Sequence, residues 1–458
     1  MNSLSQYLEL YRVNSADIDN HSCAVMNDAR KSAYELLCDA HLPRKGEEGY
    51  EHTDLEALYA RDYGVNVFRM NFRADVAASF HCDVPNMSTL LGVVVNDVFR
   101  PSRMLLERLP EGVTFMSLRE AAESCGDIVK TFYGSLADGT KPSVALNTLL
   151  AQDGVLIHVK RGVKLEKPLQ LVNIFNSPTS LLALRRVLVV LEEDAEASVL
   201  VCDHTQTADT DYMADEVVEV SLARGASLNY YHIEESSART TRHAHMFVRQ
   251  YAGSRLSLGS LTLTCGDTRN EYSIDLTEPH CEADLSGMVI GSDNQHVDNN
   301  VSLRHLSGQC RSNQIFKYVL DDNAVGNFDG RIFVAKGAAL TDAYQTNRNL
   351  LAGSSARMHT KPQLEIYNDD VKCSHGASTG QLSEEALFYM RTRGIPEKEA
   401  RTMLMQAFMA DVIDRVRPQE LRERLHLLVQ HRFAGHRGAS CADCSSSCKD
   451  DLISPIAE

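Results

Sequence analysis

The densest run of groups able to do chemistry in this sequence is Asn368-Asp369-Asp370-Val371-Lys372-Cys373-Ser374-His375-Gly376-Ala377-Ser378. In a strand, residues two apart point the same way, so Cys373 and His375 share a face. A thiolate beside an imidazole suits zinc or iron. Two ligands do not complete such a site, because iron–sulfur clusters generally take four protein ligands. Any metal here needs groups from elsewhere in the chain or from a second protein. Taken alone, the pair reads more readily as a buried cysteine and a surface histidine.

Other candidates are weaker. His243 and His245 also share a strand face, but no cysteine is near them in sequence, and they read as structural or surface residues. Asp321–Asp322 and Asp369–Asp370 bring to mind the paired carboxylates of a solenoid polysaccharide enzyme. Adjacent strand residues face opposite ways, so neither pair is preformed. Cys441, Cys444 and Cys448 offer three thiols, but in a flexible Ser-rich setting with nothing to orient a metal ligand.

Absences narrow the function further. There is no GxxxxGK[ST] loop; the nearest look-alike, Gly134 to Lys141, has Thr140 where the motif needs lysine. No GxGxxG follows a strand, and no HExxH occurs. If ATP drives this protein, a partner binds it, and the chain is not expected to be an enzyme by itself. The formal net charge of −16, from 46 basic and 62 acidic residues, disfavours nucleic-acid binding. The N-terminus lacks a basic region followed by an apolar run, and no apolar stretch approaches 18 residues. With 12 cysteines in such a chain, thiols are expected rather than disulfides, and the cytoplasm is the expected compartment, with no membrane contact.

The elements that would position Cys373 and His375 follow from periodicity. Residues 1–152 read as mostly helical, with helices over Ala24 to Cys38, Asp54 to Tyr59 and much of 117–151, and a mixed stretch with a strand at Val93–Val95. Residues 153–382 read as short β-branched strands punctuated by small-residue turns, among them Gly162-Val163, Gly225-Ala226, Gly253-Ser254 and Gly337-Ala338. Most neighbouring turns lie about 28–33 residues apart, a period that signals a solenoid. A β-sandwich competes, but ~200 residues of strand is long for one. The predicted fold is therefore mainly β, a β-helix core flanked by N- and C-terminal helical regions. Residues 383–434 read as three helices. Ser383 is the first N-cap, Gly394 a stop and Pro396 the next start; Ala400, Met403, Leu404, Ala407 and Phe408 share one face of the second helix, and Leu421, Leu425 and Leu428 align on the third. Residues 435–458 read as a flexible tail.

The run Thr341-Asp342-Ala343-Tyr344-Gln345-Thr346-Asn347, then Thr360-Lys361-Pro362-Gln363-Leu364-Glu365-Ile366, then Asp369 through Ala377, Leu387-Phe388-Tyr389 and Arg393-Gly394-Ile395 resembles the SufB/SufD family of iron–sulfur cluster assembly scaffolds. The resemblance covers about residues 145–433, and Leu42 to Leu55 looks like a segment SufD members carry. His375-Gly376-Ala377 looks like the SufD branch. The usual tryptophan is missing, since the chain has none. The resemblance implies a right-handed β-helix and an assembly with a SufB-like subunit and SufC-like ABC ATPases, with a homodimer open for the isolated chain. It implies a transient iron–sulfur cluster at the subunit interface, with His375 and Cys373 as this chain's contribution, and none held tightly by the chain alone. The ATPase-docking residues it implies are Leu387, Phe388, Tyr389, Arg393, Gly394, Met403, Leu404 and Phe408. A SufB-like sulfur acceptor, a homo-oligomeric scaffold and, remotely, a solenoid carbohydrate enzyme remain the alternatives.

Overall fold

The computed structural model describes residues 2–75 and 88–434. The N-terminal part holds helices α1 (Leu4–Asn20), α2 (Ala24–Asp39) and α3 (Leu55–Tyr59), then strands β1 (Gly64–Val65), β2 (Leu90–Val95) and β3 (Val98–Pro101). Helix α4 (Arg103–Arg108), strand β4 (Val113–Ser117) and helices α5 (Leu118–Ser124), α6 (Gly126–Phe132) and α7 (Pro142–Leu150) follow. Sixteen strands come next: β5 (Val155–Val159), β6 (Leu169–Phe175), β7 (Leu181–Leu191), β8 (Glu196–Thr205), β9 (Tyr212–Leu222), β10 (Ser227–Glu235), β11 (Thr240–Gln250), β12 (Arg255–Thr264), β13 (Asp267–Leu276), β14 (Glu282–Gly291), β15 (His296–His305), β16 (Arg311–Leu320), β17 (Val325–Val334), β18 (Thr341–Leu351), β19 (Arg357–Ile366) and β20 (Val371–Gln381). Helices α8 (Glu384–Thr392), α9 (Glu397–Ile413) and α10 (Gln419–Phe433) close the described chain.

From β5 onward, odd strands build one sheet and even strands the other, each strand pairing parallel with the strand two along. The chain therefore winds as a β-solenoid of about eight turns. Register is held coil to coil: Asp267 pairs with His296 and His296 with Val325, while Glu282 pairs with Arg311 and Arg311 with Asp342. The turns demand left-handed backbone at Gly162, Gly225 and Gly253, and at Asp194, Asp293 and Asp322. At Gly225 a Cβ would also lie 2.2 Å from Asp194 Oδ1 in the coil before, so space as well as φ selects glycine.

Three apolar layers result. The solenoid interior is filled from both sheets by residues such as Ile157, Val199, Val220, Leu285 and Phe316. The outer face of the odd sheet is covered by the N-terminal helices, and the outer face of the even sheet by α9 and α10. Strands β7 and β9 are consequently buried along their whole length, which removes the in–out alternation that marks a half-exposed strand. No helix among the described residues is long and apolar enough to cross a membrane.

The two ends of the solenoid differ. At the near end β3 pairs antiparallel with β2, and β4 with β5, within the N-terminal region. Phe99 and Phe115, with rings 5.4 Å apart, and Leu105 of α4 close the interior there. At the far end β19 and β20 are each paired on one side only.

Helix α9 turns only part of its sequence stripe inward. Ala400, Met405, Met409, Val412 and Ile413 are buried, whereas Met403 and Ala407 are exposed and Leu404 and Phe408 only partly covered. The reason is Lys317 on β16. Its buried Nζ donates to the Phe408 carbonyl at 2.7 Å and pairs with Asp411, which rotates the helix about that contact.

The N-terminal helices are fixed largely by polar contacts to strands β7 to β15. Arg186 pairs with Glu219 at 2.7 Å, and Glu219 also accepts the backbone N–H groups of Gly134, Leu136 and Ala137. Arg30 of α2 donates to the carbonyls of Leu149 and Ala151, capping the C-terminal end of α7. Tyr59 Oη lies 2.9 Å from Asp215 Oδ2 and 3.0 Å from His243 Nδ1. Burial pushes the Asp215 carboxyl up to about 7 and the His243 imidazole down. Tyr59 Oη donates to Asp215 Oδ2, and His243 Nε2 lies 3.1 Å from Glu271 Oε1.

The raised Asp215 carboxyl has a pH signature. A carboxyl whose folded pKa is raised contributes stability that is complete below its unfolded value, near 4, and is lost as pH rises through about 7. Asp215→Asn removes this loss, so the variant should gain about 2 kcal/mol on wild type between pH 5 and pH 8. Urea unfolding at both values checks it; an equal deficit at both would mean that Asp215 is ionised in the fold.

Candidate functional site

Strand β20 pairs with β18 so that Cys373 lies beside Ala343, His375 beside Gln345 and Ala377 beside Asn347. Ala343, Gln345 and Asn347 are buried on the inner side of β18, and Cys373 packs with Ala343 and Ala338. Cys373 and His375 therefore point into the solenoid interior at its far end, where no further strand among the described residues covers them. Cys373 is half-buried and His375 exposed. Burial pushes the Cys373 thiol up, with the nearby Asp342 carboxylate adding to the rise, so it is protonated at neutral pH and must lose its proton to ligate a metal.

The floor beneath this mouth is polar. Gln345 Nε2 donates to Gln314 Oε1 at 3.2 Å. Asn347 Oδ1 accepts from Thr360 Oγ1 at 2.8 Å and from Asn349 Nδ2 at 2.7 Å, while its own Nδ2 donates to the Phe316 carbonyl. The apolar filling of the interior thus gives way to amides one coil below His375. Around the rim Leu340, Tyr344, Ile366 and Tyr367 are exposed. The N-terminal segment reaches the same end, where the His52 ring stacks on His359 at 3.7 Å and Glu51 pairs with Lys361.

Among the described residues, three metal-ligating side chains converge in one place, at His243, His245 and Glu271. All three are buried. The carboxylate there is already fully engaged. Lys141 Nζ donates to Oε2 at 2.6 Å, and Tyr50 Oη and Arg269 Nε donate to Oε1 at 2.8 and 2.9 Å. Burial alone would raise this carboxyl, but Lys141 and Arg269 outweigh it and hold it well below the usual range. Two fixed cations leave no seat for a third, so the cluster ties the N-terminal region to β11 and β13. Sequence spacing could not have shown this, because Tyr50, Tyr59 and Lys141 reach the histidines only through the fold.

The remaining candidates separate by position. Asp321 Oδ1 accepts from the Asp322 N–H, and Asp322 Oδ2 from the Asp293 N–H, so that pair stabilises stacked turns. Asp369 and Asp370 are exposed at the turn before β20. Ser383 caps α8 by accepting from the Ala386 N–H, and Gly394 takes left-handed backbone after it. On α8, Phe388 and Tyr389 are exposed at 70% and 59%, whereas Leu387 is in the core. Met403 on α9 and Leu427 on α10 are exposed too, and Arg393 stacks over the Tyr389 ring. Cys441, Cys444 and Cys448 lie outside the described residues.

Comparison with known proteins gives a consistent picture. The family model for the SUF system FeS cluster assembly SufBD core domain matches residues 174–408, and that for the SufBD protein N-terminal region matches residues 1–171. The iron–sulfur cluster assembly protein SufD of Escherichia coli is 32% identical over 88% of this chain and 92% of its own length. An iron–sulfur cluster assembly SufBD family protein of Synechocystis is 29% identical over 89% of this chain and 91% of its own. SufD of Bacillus subtilis is 26% identical over 70% and 74%.

The Lys317 contact makes the C-terminal helices a separable layer. Lys317→Met removes a charge-assisted donor from Asp411 and from the Phe408 carbonyl, which keeps its helical i,i+4 bond, at a cost of about 1–3 kcal/mol. Hydrogen exchange should quicken across 397–433 while β5 to β13 keep wild-type protection.

Proposed function

Because this chain belongs to the SufBD family of iron–sulfur cluster assembly proteins, we propose that it works as a SufD-type scaffold subunit. In this reading it pairs its open solenoid end with a SufB-like solenoid and carries SufC-like ABC ATPases on its C-terminal helices. The observation that carries the proposal is the direction of Cys373 and His375, which face into an uncovered solenoid mouth between two strands that each lack a neighbour.

Two physical arguments support the pairing. Ten- and eleven-residue edge strands left bare invite association, and proteins normally shield them. Ile366 at the end of β19 and Tyr367 just after it are exposed there, as are Leu340 and Tyr344 on the neighbouring coil. The chemistry points the same way. One thiol and one imidazole leave a cluster short of ligands, so the partner supplies the rest. The cluster is cargo in this scheme. His375 offers an imidazole nitrogen, and Cys373 offers sulfur once its proton leaves. The amide floor beneath them supplies polar groups close to a charged cargo.

The ATPase surface in this proposal is the exposed part of the C-terminal layer, centred on Phe388 and Tyr389, with Arg393, Gly394 and Met403 beside them. Leu404 and Phe408 contribute their uncovered edges, while Leu387 supports the surface from beneath. Motion of that layer reaches the solenoid through α9, which rests on β14 and β16.

His375→Ala should abolish cluster formation and leave subunit assembly intact; normal iron and sulfide content in the variant complex would remove His375 from the ligand set. Replacing Phe388 and Tyr389 by alanine should weaken ATPase capture at an unchanged melting temperature, because both rings are exposed. A fall in stability with ATPase binding retained would contradict the docking role. Anaerobic purification from native cells tests the whole reading. Co-elution with an ABC-type ATPase, a second solenoid subunit, iron and sulfide is the expected result, and a chain that elutes only with itself would favour the homo-oligomeric alternative.

A further inference from the structure

Two cysteines that play no part in the scheme above are stacked in successive coils. Cys281 immediately precedes β14 and Cys310 immediately precedes β16. Ser254 holds the same place one coil earlier: the Glu282 N–H donates to the Ser254 carbonyl and the Arg311 N–H to the Cys281 carbonyl. Equivalent residues of neighbouring parallel coils sit about 4.8 Å apart, within the Cα separation a disulfide spans. The side chains also converge. Both sulfurs reach the Glu278 carbonyl oxygen, Cys281 Sγ at 3.1 Å and Cys310 Sγ at 3.3 Å. Both are buried, yet the turn above them, Glu278-Pro279-His280, is exposed along its length. One layer of residues separates the pair from solvent.

We propose that Cys281 and Cys310 form a reversible redox pair, closing an inter-coil disulfide when a peroxide reaches them. The Cys281 sulfur attacks one peroxide oxygen and the O–O bond breaks, giving a sulfenic acid and one water. The Cys310 sulfur then displaces the hydroxyl from that sulfenic acid, forming the S–S bond and a second water. The two sulfurs supply the two electrons that reduce the peroxide, and the two thiol protons leave in the waters. A thiol reductant reverses the reaction by exchange. Cys281 is the attacking sulfur because the neighbouring Cys310 thiol, and then the hydrogen bond from Ser254 Oγ, lower its pKa.

The place of the bond gives it a consequence. Strands β14 and β16 are the two on which α9 packs, and Lys317 of β16 holds that helix. A covalent link at the base of both strands stops them from shifting against each other. Oxidation therefore stiffens the point at which the C-terminal helices meet the solenoid.

Mass spectrometry of the full-length protein tests this without any substitution. The protein is treated with hydrogen peroxide, free thiols are blocked by alkylation, and a non-reducing digest is analysed. The expected result is a linked pair of peptides containing Cys281 and Cys310, lost on treatment with dithiothreitol. The melting temperature should rise on oxidation and fall back on reduction, and Cys310→Ser and Cys310→Ala should abolish both changes. In the same samples exposed Cys38 serves as the control for oxidant delivery. If Cys38 is oxidised while Cys281 and Cys310 stay fully alkylatable, or if Cys281 links to a different cysteine, the proposal fails.

Discussion

In a parallel solenoid the backbone groups of each coil pair only with the coils on either side, so hydrogen bonding must stop at two ends. This chain resolves the ends in opposite ways. At the near end the strand direction reverses at β3 and β4, and Phe99, Leu105 and Phe115 fill the interior. At the far end the interior filling runs out into amides, and Cys373 and His375 face the gap. The reactive residues sit where the fold is unfinished because the inner side of a last strand is the one inward-facing surface a solenoid leaves within reach.

The same stacking that orders the backbone also stacks side chains, and it places charges against one another. Adjacent Arg185 and Arg186 on β7 show how this is resolved. Arg185 turns inward to Asp203, which also holds His232 and Arg242, while Arg186 turns outward to Glu219 beneath the N-terminal helices. For Asp203 burial alone would raise the carboxyl, and His232, Arg242 and Arg185 around it reverse the shift and keep it ionised. Removing one partner from such a buried pair leaves an uncompensated charge, so these contacts fix one register even where their net contribution is small. Glu271 has the corresponding role for the whole N-terminal region, which it ties down through Tyr50 and Lys141.

Much of this was legible in the sequence. The short β-branched runs, the turn spacing and the caps at Ser383 and Gly394 marked the solenoid and the helices that follow it, and the period of two placed Cys373 and His375 on one face. What periodicity could not supply was any contact between distant segments. Periodicity could not tell which stripe of α9 faces the sheet, because Met403 and Phe408 fit a helical stripe as well as Met405 and Met409 do, and the contact from Lys317, 91 residues from Phe408, is visible only in three dimensions. His243 and His245 were seen as a pair but not as a junction, since Tyr59 and Glu271 join them only in three dimensions. Strands β7 and β9 gave no alternation to read, because each is covered on both faces.

The unlike ends also bear on how large an assembly can grow. A stack with bare strands at both ends would add subunits head to tail into an open fibre. Among the described strands, the edges at the far end are the parallel β19 and β20, of ten and eleven residues, whereas those at the near end are the short antiparallel β3 and β4, of four and five residues. The long parallel edge at one end thus finds no edge of matching length and direction at the other, which works against growth of an open fibre.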